Sequence, residues 1–192
     1  MDSEVARAVG VRIREARRSR GLSVGALAAA AGIGKGSLSE LENGTRNPTL
    51  ATLYALANAL GAPLATLLAE RSGAWVASPG IAARLLDASE HADGTVVEVY
   101  LLTLDPAAPH VSPAHGAGVT EHLLVTHGRA RVGRAGEEAD LGAGESTTWV
   151  SDVEHGYAAL GGSASAVLVI TSPSDRRDVG PIATRSRSVP TD

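Results

Sequence analysis

The chain has no cysteine in its 192 residues. That excludes disulfides, thiolate metal ligands and a catalytic thiol, and nothing calls for an oxidising compartment. No apolar run approaches the roughly 18 residues of a membrane span. Its opening residues, Met1-Asp2-Ser3-Glu4, do not resemble a signal peptide. A soluble, cytoplasmic protein without a membrane partner is the expectation. Also absent is an excess of positive charge: 17 Lys and Arg face 21 Asp and Glu, a formal balance of -4. Taken over the whole chain, that balance discourages a nucleic-acid partner.

The charge is unevenly spread, however. Residues 1–72 hold 9 basic and 6 acidic side chains, whereas residues 73–192 hold 8 and 15. Two halves of opposite sign imply two tasks. The apolar period changes at the same place. From Glu4 to Ala69 it is helical and broken by capping residues. The first helix spans about Glu4 to Ser19, with Val5, Val9, Ile13 and Ala16 on one face and Arg7, Arg14 and Arg18 on another. The second follows Ser23 as N-cap, with Leu22 and Leu27 in the positions of a hydrophobic staple, and ends at Gly32. The third covers Lys35 to Glu42 and stops at Asn43-Gly44. The fourth follows Pro48-Thr49, turns Leu50, Leu53, Leu56, Ala57 and Leu60 inward, and ends at Gly61. Pro63 opens a short fifth helix with Leu64, Leu67 and Leu68.

Beyond Arg71-Ser72-Gly73 the period falls to two. Strand-like runs follow at Ile81 to Leu86, Thr95 to Leu104, Glu121 to Thr126, Arg129 to Val132, Ser146 to Val150 and Ala164 to Thr171. Six or more short strands without intervening helices predict an all-β sandwich or barrel. The expected division is therefore a helical domain over 1–70, a linker over 71–79, a β domain over 80–172 and an irregular tail over 173–192, with no internal repeat.

The stretch from Gly21 to Leu50 has the physics of a helix-turn-helix. Gly32 permits the turn, Ile33 plugs the crevice, and Leu38 and Leu41 anchor the second helix. It resembles the phage-repressor-like, or XRE, family over about residues 5 to 69, most specifically from Ser37 to Gly44 followed by Pro48. The resemblance implies a lambda-repressor-like domain whose recognition helix is Lys35 to Glu42. Lys35, Gly36, Ser37, Ser39 and Glu40 would then face the major groove, Lys35 donating to guanine edges and Glu40 accepting from a cytosine amino group. Ser23, Asn43, Arg46 and the cluster Arg17, Arg18 and Arg20 are placed for phosphates. The plain alternative is a solvated helix face.

The second half carries His115 and Glu121 six residues apart, Gly128 seven further on, and then Gly144 and His155. These half-motifs resemble a cupin, a double-stranded β-helix barrel, over roughly residues 80 to 172. Metal-binding cupins place a second His two residues after the first, and Ala117 stands there. His115, Glu121 and His155 match the remaining ligand positions, a set adequate for Fe(II), Ni(II) or Zn(II). The plain alternative is a hydrogen-bonded polar pair of His155 and Glu121 inside the barrel, with Arg129 or Arg131 beside it. Strand alternation turns Leu123, Val125 and Tyr157 inward with Glu121 and His155, with Tyr100 and Trp149 as aromatic walls of a pocket for a small, partly apolar effector. His91, His110, His122 and His127 are expected on surfaces or loops.

The combined resemblance implies a transcriptional regulator that binds palindromic double-stranded DNA as a homodimer and senses a small molecule in its barrel. An alternative is a metal-dependent cupin enzyme. Similar two-domain proteins include a phosphonate epoxidase with mononuclear iron held by two His and a Glu, one of those His lying four residues before the Glu, where this chain has Ala117.

Overall fold

In the computed structural model, which describes residues 3–68 and 75–173, five helices precede ten strands. Helices α1 (Ser3–Ser19), α2 (Val24–Ala30), α3 (Lys35–Glu42), α4 (Leu50–Leu60) and α5 (Leu64–Leu68) lie close to the expected spans. Their ends follow from local chemistry. The Ser23 hydroxyl accepts from the Ala26 N–H at 3.0 Å and the Thr49 hydroxyl from the Thr52 N–H at 3.1 Å, each satisfying a donor left free at a helix start. Gly61, at φ +59°, closes α4 in the left-handed region. Val9, Ile13, Leu27, Leu38, Leu53 and Leu56 are fully buried, so the apolar stripes of the first four helices meet in one core.

The strands are β1 (Trp75–Ser78), β2 (Ile81–Glu90), β3 (Val96–Leu104), β4 (His110–Ser112), β5 (Thr120–His127), β6 (Arg129–Arg134), β7 (Ala139–Gly142), β8 (Ser146–Val150), β9 (His155–Ala159) and β10 (Ala164–Ser172). They form two antiparallel sheets, ordered β1-β2-β3-β10-β5-β8 and β4-β9-β6-β7. Between them lies the interior of the β domain, lined by Tyr100, Leu102, Leu123, Val125, Val132, Leu168 and Ile170. Burial alternates strictly along β3 and β10, which is the period-two signal in physical form.

Four strands were not foreseen as strands. β1 occupies residues expected in the linker and pairs with β2 from Trp75 opposite Arg84 to Ser78 opposite Ile81. β4, β7 and β9 are three to five residues long, too short for alternation to stand out. His110 corrects the expectation of a surface histidine. It is 5 % exposed on β4, with Nε2 3.2 Å from the Ser112 hydroxyl and Nδ1 3.3 Å from the Pro79 carbonyl. Residues 71–74, the tail from 174 onward and the Val5 side chain lie outside the described residues.

Gly128 joins β5 to β6 at φ +73°, and a Cβ there would sit 2.5 Å from the Ser163 carbonyl oxygen. Gly128→Ala therefore combines left-handed strain with a backbone clash. It should lower stability in urea unfolding by about 3 kcal/mol; an unchanged midpoint would contradict the tight β5–β6 crossing.

Candidate ligand site and DNA-reading surface

On the helical half, Lys35, Gly36, Ser39 and Glu40 are exposed along α3 and Ser37 is half-buried. Arg46, exposed in the following loop, reaches back with one Nη1 to the Glu40 carboxylate and the Ser37 hydroxyl, each at 3.3 Å. That contact offsets a carboxylate that would otherwise repel phosphates. Asn43, Ser23 and Arg18 are also exposed, and Arg20 donates to the Ala16 carbonyl at 3.1 Å.

Arg17 departs from its expected role. It is 8 % exposed and grips the buried Glu42 through Nε at 2.6 Å and Nη2 at 2.8 Å, while Nη1 donates to the Leu22 carbonyl at 2.8 Å. Its guanidinium holds α1 against α3 and the turn before α2, and its burial turns it away from a phosphate. The Glu42 bond pushes its pKa up against the opposing effect of burial. Gly10 lets α1 come this close, since a Cβ there would run into the Leu41 carbonyl.

On the β half, Glu121 lies at the barrel's centre with no exposed surface. Its Oε1 is 2.9 Å from His115 Nδ1 and 3.0 Å from His155 Nε2, and accepts from the Ser151 hydroxyl at 2.7 Å. The Tyr157 hydroxyl donates to Oε2. Burial alone would drive this carboxyl up, but bonds and charge from the two imidazoles outweigh it and hold the group well below the usual carboxylate range. Burial keeps the Tyr157 phenol protonated and able to donate. Leu123 and Trp149 line the same interior, Trp149 with its ring centroid 6.0 Å from those of His155 and Tyr157.

Other expected partners are elsewhere. Arg129 and Arg131 are exposed, and Arg131 forms a two-pronged pair with Asp140 on the surface. Tyr100 is buried, but its hydroxyl donates to Glu98 at 2.8 Å rather than to the His and Glu cluster. His122 faces outward toward Thr148, as period two requires next to an inward Glu121. Ala117 is exposed.

With this geometry in place, the comparisons with known proteins are specific. The helix-turn-helix family HTH_3 matches residues 13–67. The HTH-type transcriptional regulator SutR of Escherichia coli strain K12 is 30% identical over 156 residues, covering 80% of this chain and 88% of SutR. The chain belongs to the helix-turn-helix transcriptional regulators. RghRB of Bacillus subtilis strain 168, an uncharacterised regulator of the same type, is 36% identical over 115 residues, 59% of this chain and 78% of its own. A crystal structure of an HTH_3 family transcriptional regulator from Vibrio cholerae superposes at a TM-score of 0.78 with 28% identity, over 90% of this chain and 99% of that one. The protein is thus a DNA-binding regulator of the helix-turn-helix type whose second half is an all-β domain. Among the described residues, no helix is long and apolar enough to cross a membrane.

The regulator's buried cluster has the chemistry of a cation site. His155 Nδ1 lies 3.0 Å from the Val153 carbonyl, an atom that only accepts, so Nδ1 carries a proton. The neutral ring would then aim the Nε2 lone pair at the Glu121 carboxylate. That arrangement is repulsive unless a proton or a metal ion lies between them. Burial works against the imidazolium, yet Glu121 and the Val153 carbonyl push the His155 pKa up. A backbone carbonyl that fixes the tautomer of a ligating imidazole is also a common support for metal ligands. The His115, Glu121 and His155 ligand atoms all lie within 4.8 Å of one another, so the three residues fit a shared ion.

Sequence reading missed Ser151, Glu98, Tyr54 and Asn58. Glu98 was legible in principle, as a carboxylate at an inward position of Val96–Leu104; Ser151 gave no signal. Tyr157→Phe removes a buried donor to a charged acceptor. Thermal or urea unfolding should read a loss of about 1.5–3 kcal/mol, and no loss would contradict a charged Glu121.

Proposed function

We propose that this regulator reads a palindromic operator as a homodimer in the cytoplasm and that a small ligand bound at His115, Glu121 and His155 controls the reading. The observation that carries this is the fully buried Glu121 with its two imidazoles, a hydroxyl and a phenol. A barrel serving only to hold two reading heads together gains little from so costly a polar centre, because an apolar filling of the same volume is at least as stable.

A metal ion is the form of ligand that the His155 tautomer favours, with His115, Glu121 and His155 holding it and supplying two neutral donors and one charged donor. An organic effector bordered by Leu123, Trp149, Tyr157 and Tyr100 is the other form. The Ser151 and Tyr157 hydroxyls are both engaged with Glu121. Elemental analysis of protein purified without a metal-affinity tag should find one transition metal per chain, lost in His155→Ala. Absence of metal after anaerobic loading with iron, nickel and zinc would leave the organic effector.

Dimerisation is supported by the outer face of the six-stranded sheet. Leu101, Val167 and Leu124 lie side by side across β3, β10 and β5, next to Val99 and Val169. Leu124 is 37 % exposed and the other four are half-buried, an apolar row suited to a second copy. Sedimentation should give twice the chain mass; a single-chain mass at micromolar concentration would contradict the two-fold arrangement.

For operator reading, Arg46→Ala should weaken binding to all sequences alike and lower the salt slope by about one. Lys35→Ala should change base preference. Anisotropy titrations on operator and scrambled DNA check both, and an unchanged preference in Lys35→Ala would remove α3 as the reading helix.

A further inference from the structure

The helical half does not merely precede the barrel; it closes over the face of His115. Helix α4 lays the Tyr54 ring on the His115 imidazole, with centroids 4.0 Å apart and planes 15° from parallel. One turn later, Asn58 Nδ2 donates to the carbonyl of Ala114, the residue before His115. The His115 N–H in turn donates at 2.7 Å to the carbonyl of Ser151, whose hydroxyl holds Glu121. A second tie lies alongside, where the buried Glu98 carboxylate accepts from the Ala65 N–H of α5 at 2.5 Å and from the Tyr100 hydroxyl. Between the two ties runs a narrow cleft bordered by Tyr54, Asn58, Leu64, Glu98, His115 and Ser172.

We infer that Tyr54 and Asn58 of the DNA-reading half form the outer wall of the barrel's ligand site, so that ligand affinity at His115 and docking of the reading head are coupled. The inference rests on the triad being a ligand site, as proposed above. Its physical basis is that one ring serves both sides. His115 presents Nδ1 to Glu121, an edge to His155 at 4.8 Å and a face to Tyr54, so it cannot shift toward a ligand without disturbing the stack. Helix α4 packs against α1 and α2, and Arg17 and Glu42 lock α1 to α3. A displaced α4 therefore carries the recognition helix with it, and in a dimer that changes the spacing of the two heads. By reciprocity, whatever the ligand does to docking, docking does to the ligand.

Because the chain has no cysteine, Glu15→Cys and Glu137→Cys provide one label on each half for a spin-label distance measurement. The full chain is compared with Tyr54→Leu, Tyr54→Phe and Asn58→Ala, and Ni(II) is the probe. Tyr54→Leu and Asn58→Ala should broaden the distance distribution, Ni(II) should narrow it in the parent, and Tyr54→Leu should weaken Ni(II) binding about tenfold, as expected for a residue that orients a ligating ring. Tyr54→Phe, which keeps the stack, should behave as the parent. Equal Ni(II) affinity and equal distances in Tyr54→Leu, with binding lost in His155→Ala, would overturn the inference while leaving the ligand site standing. No Ni(II) binding to the parent would remove the cation site, and with it the coupling inferred here, even if the distances responded to Tyr54→Leu.

Discussion

A carboxylate with no solvent contact governs this molecule. Removing a charged group from water costs several kcal/mol even after relaxation, so Glu121 can stay ionised only if its surroundings supply charge and donors in fixed positions. They come from three places in the chain: His115 from the β4–β5 loop, Ser151 from just after β8, and His155 and Tyr157 from β9. The antiparallel pairings that put those elements side by side are thus the means by which one buried charge is tolerated. The two sheets also carry the apolar lining that makes the centre dry.

The same demand extends to the helical half through His115. Its ring is fixed by Glu121 on one side and covered by Tyr54 on the other, so the polar centre and the DNA-reading domain meet directly at one imidazole. Arg17 and Glu42 play a comparable part inside that domain. A guanidinium and a carboxylate, both nearly buried, pair through two bonds and hold α1 against α3. Each half is organised around a charge that would be costly if its partner moved, which favours movement of whole units over gradual deformation.

Much of this was legible in the sequence, for reasons that particular residues make plain. Leu50, Leu53, Leu56 and Leu60 repeat at helical spacing between Thr49 and Gly61, and α4 has those bounds. His115, Glu121 and His155 stood out because their half-motifs resemble those of metal-binding cupins, and the fold gathers them. Arg17 was misjudged because nothing local distinguishes an arginine facing DNA from one facing Glu42, 25 residues away. Tyr54 and Asn58 were missed because they sit one turn apart on a helix that otherwise looks like core, and their partners, His115 and Ala114, lie more than fifty residues on. His110 was misplaced because a three-residue strand has too few positions to show its period.

The most direct test of the account is the affinity of the purified regulator for its own operator, selected from random duplexes, measured at fixed salt with the barrel centre loaded and stripped. Ligand control predicts a difference of about fivefold or more between the two states, abolished when Glu121 is changed to Gln. Equal affinity in every state would mean that the barrel's buried charge has no part in reading DNA.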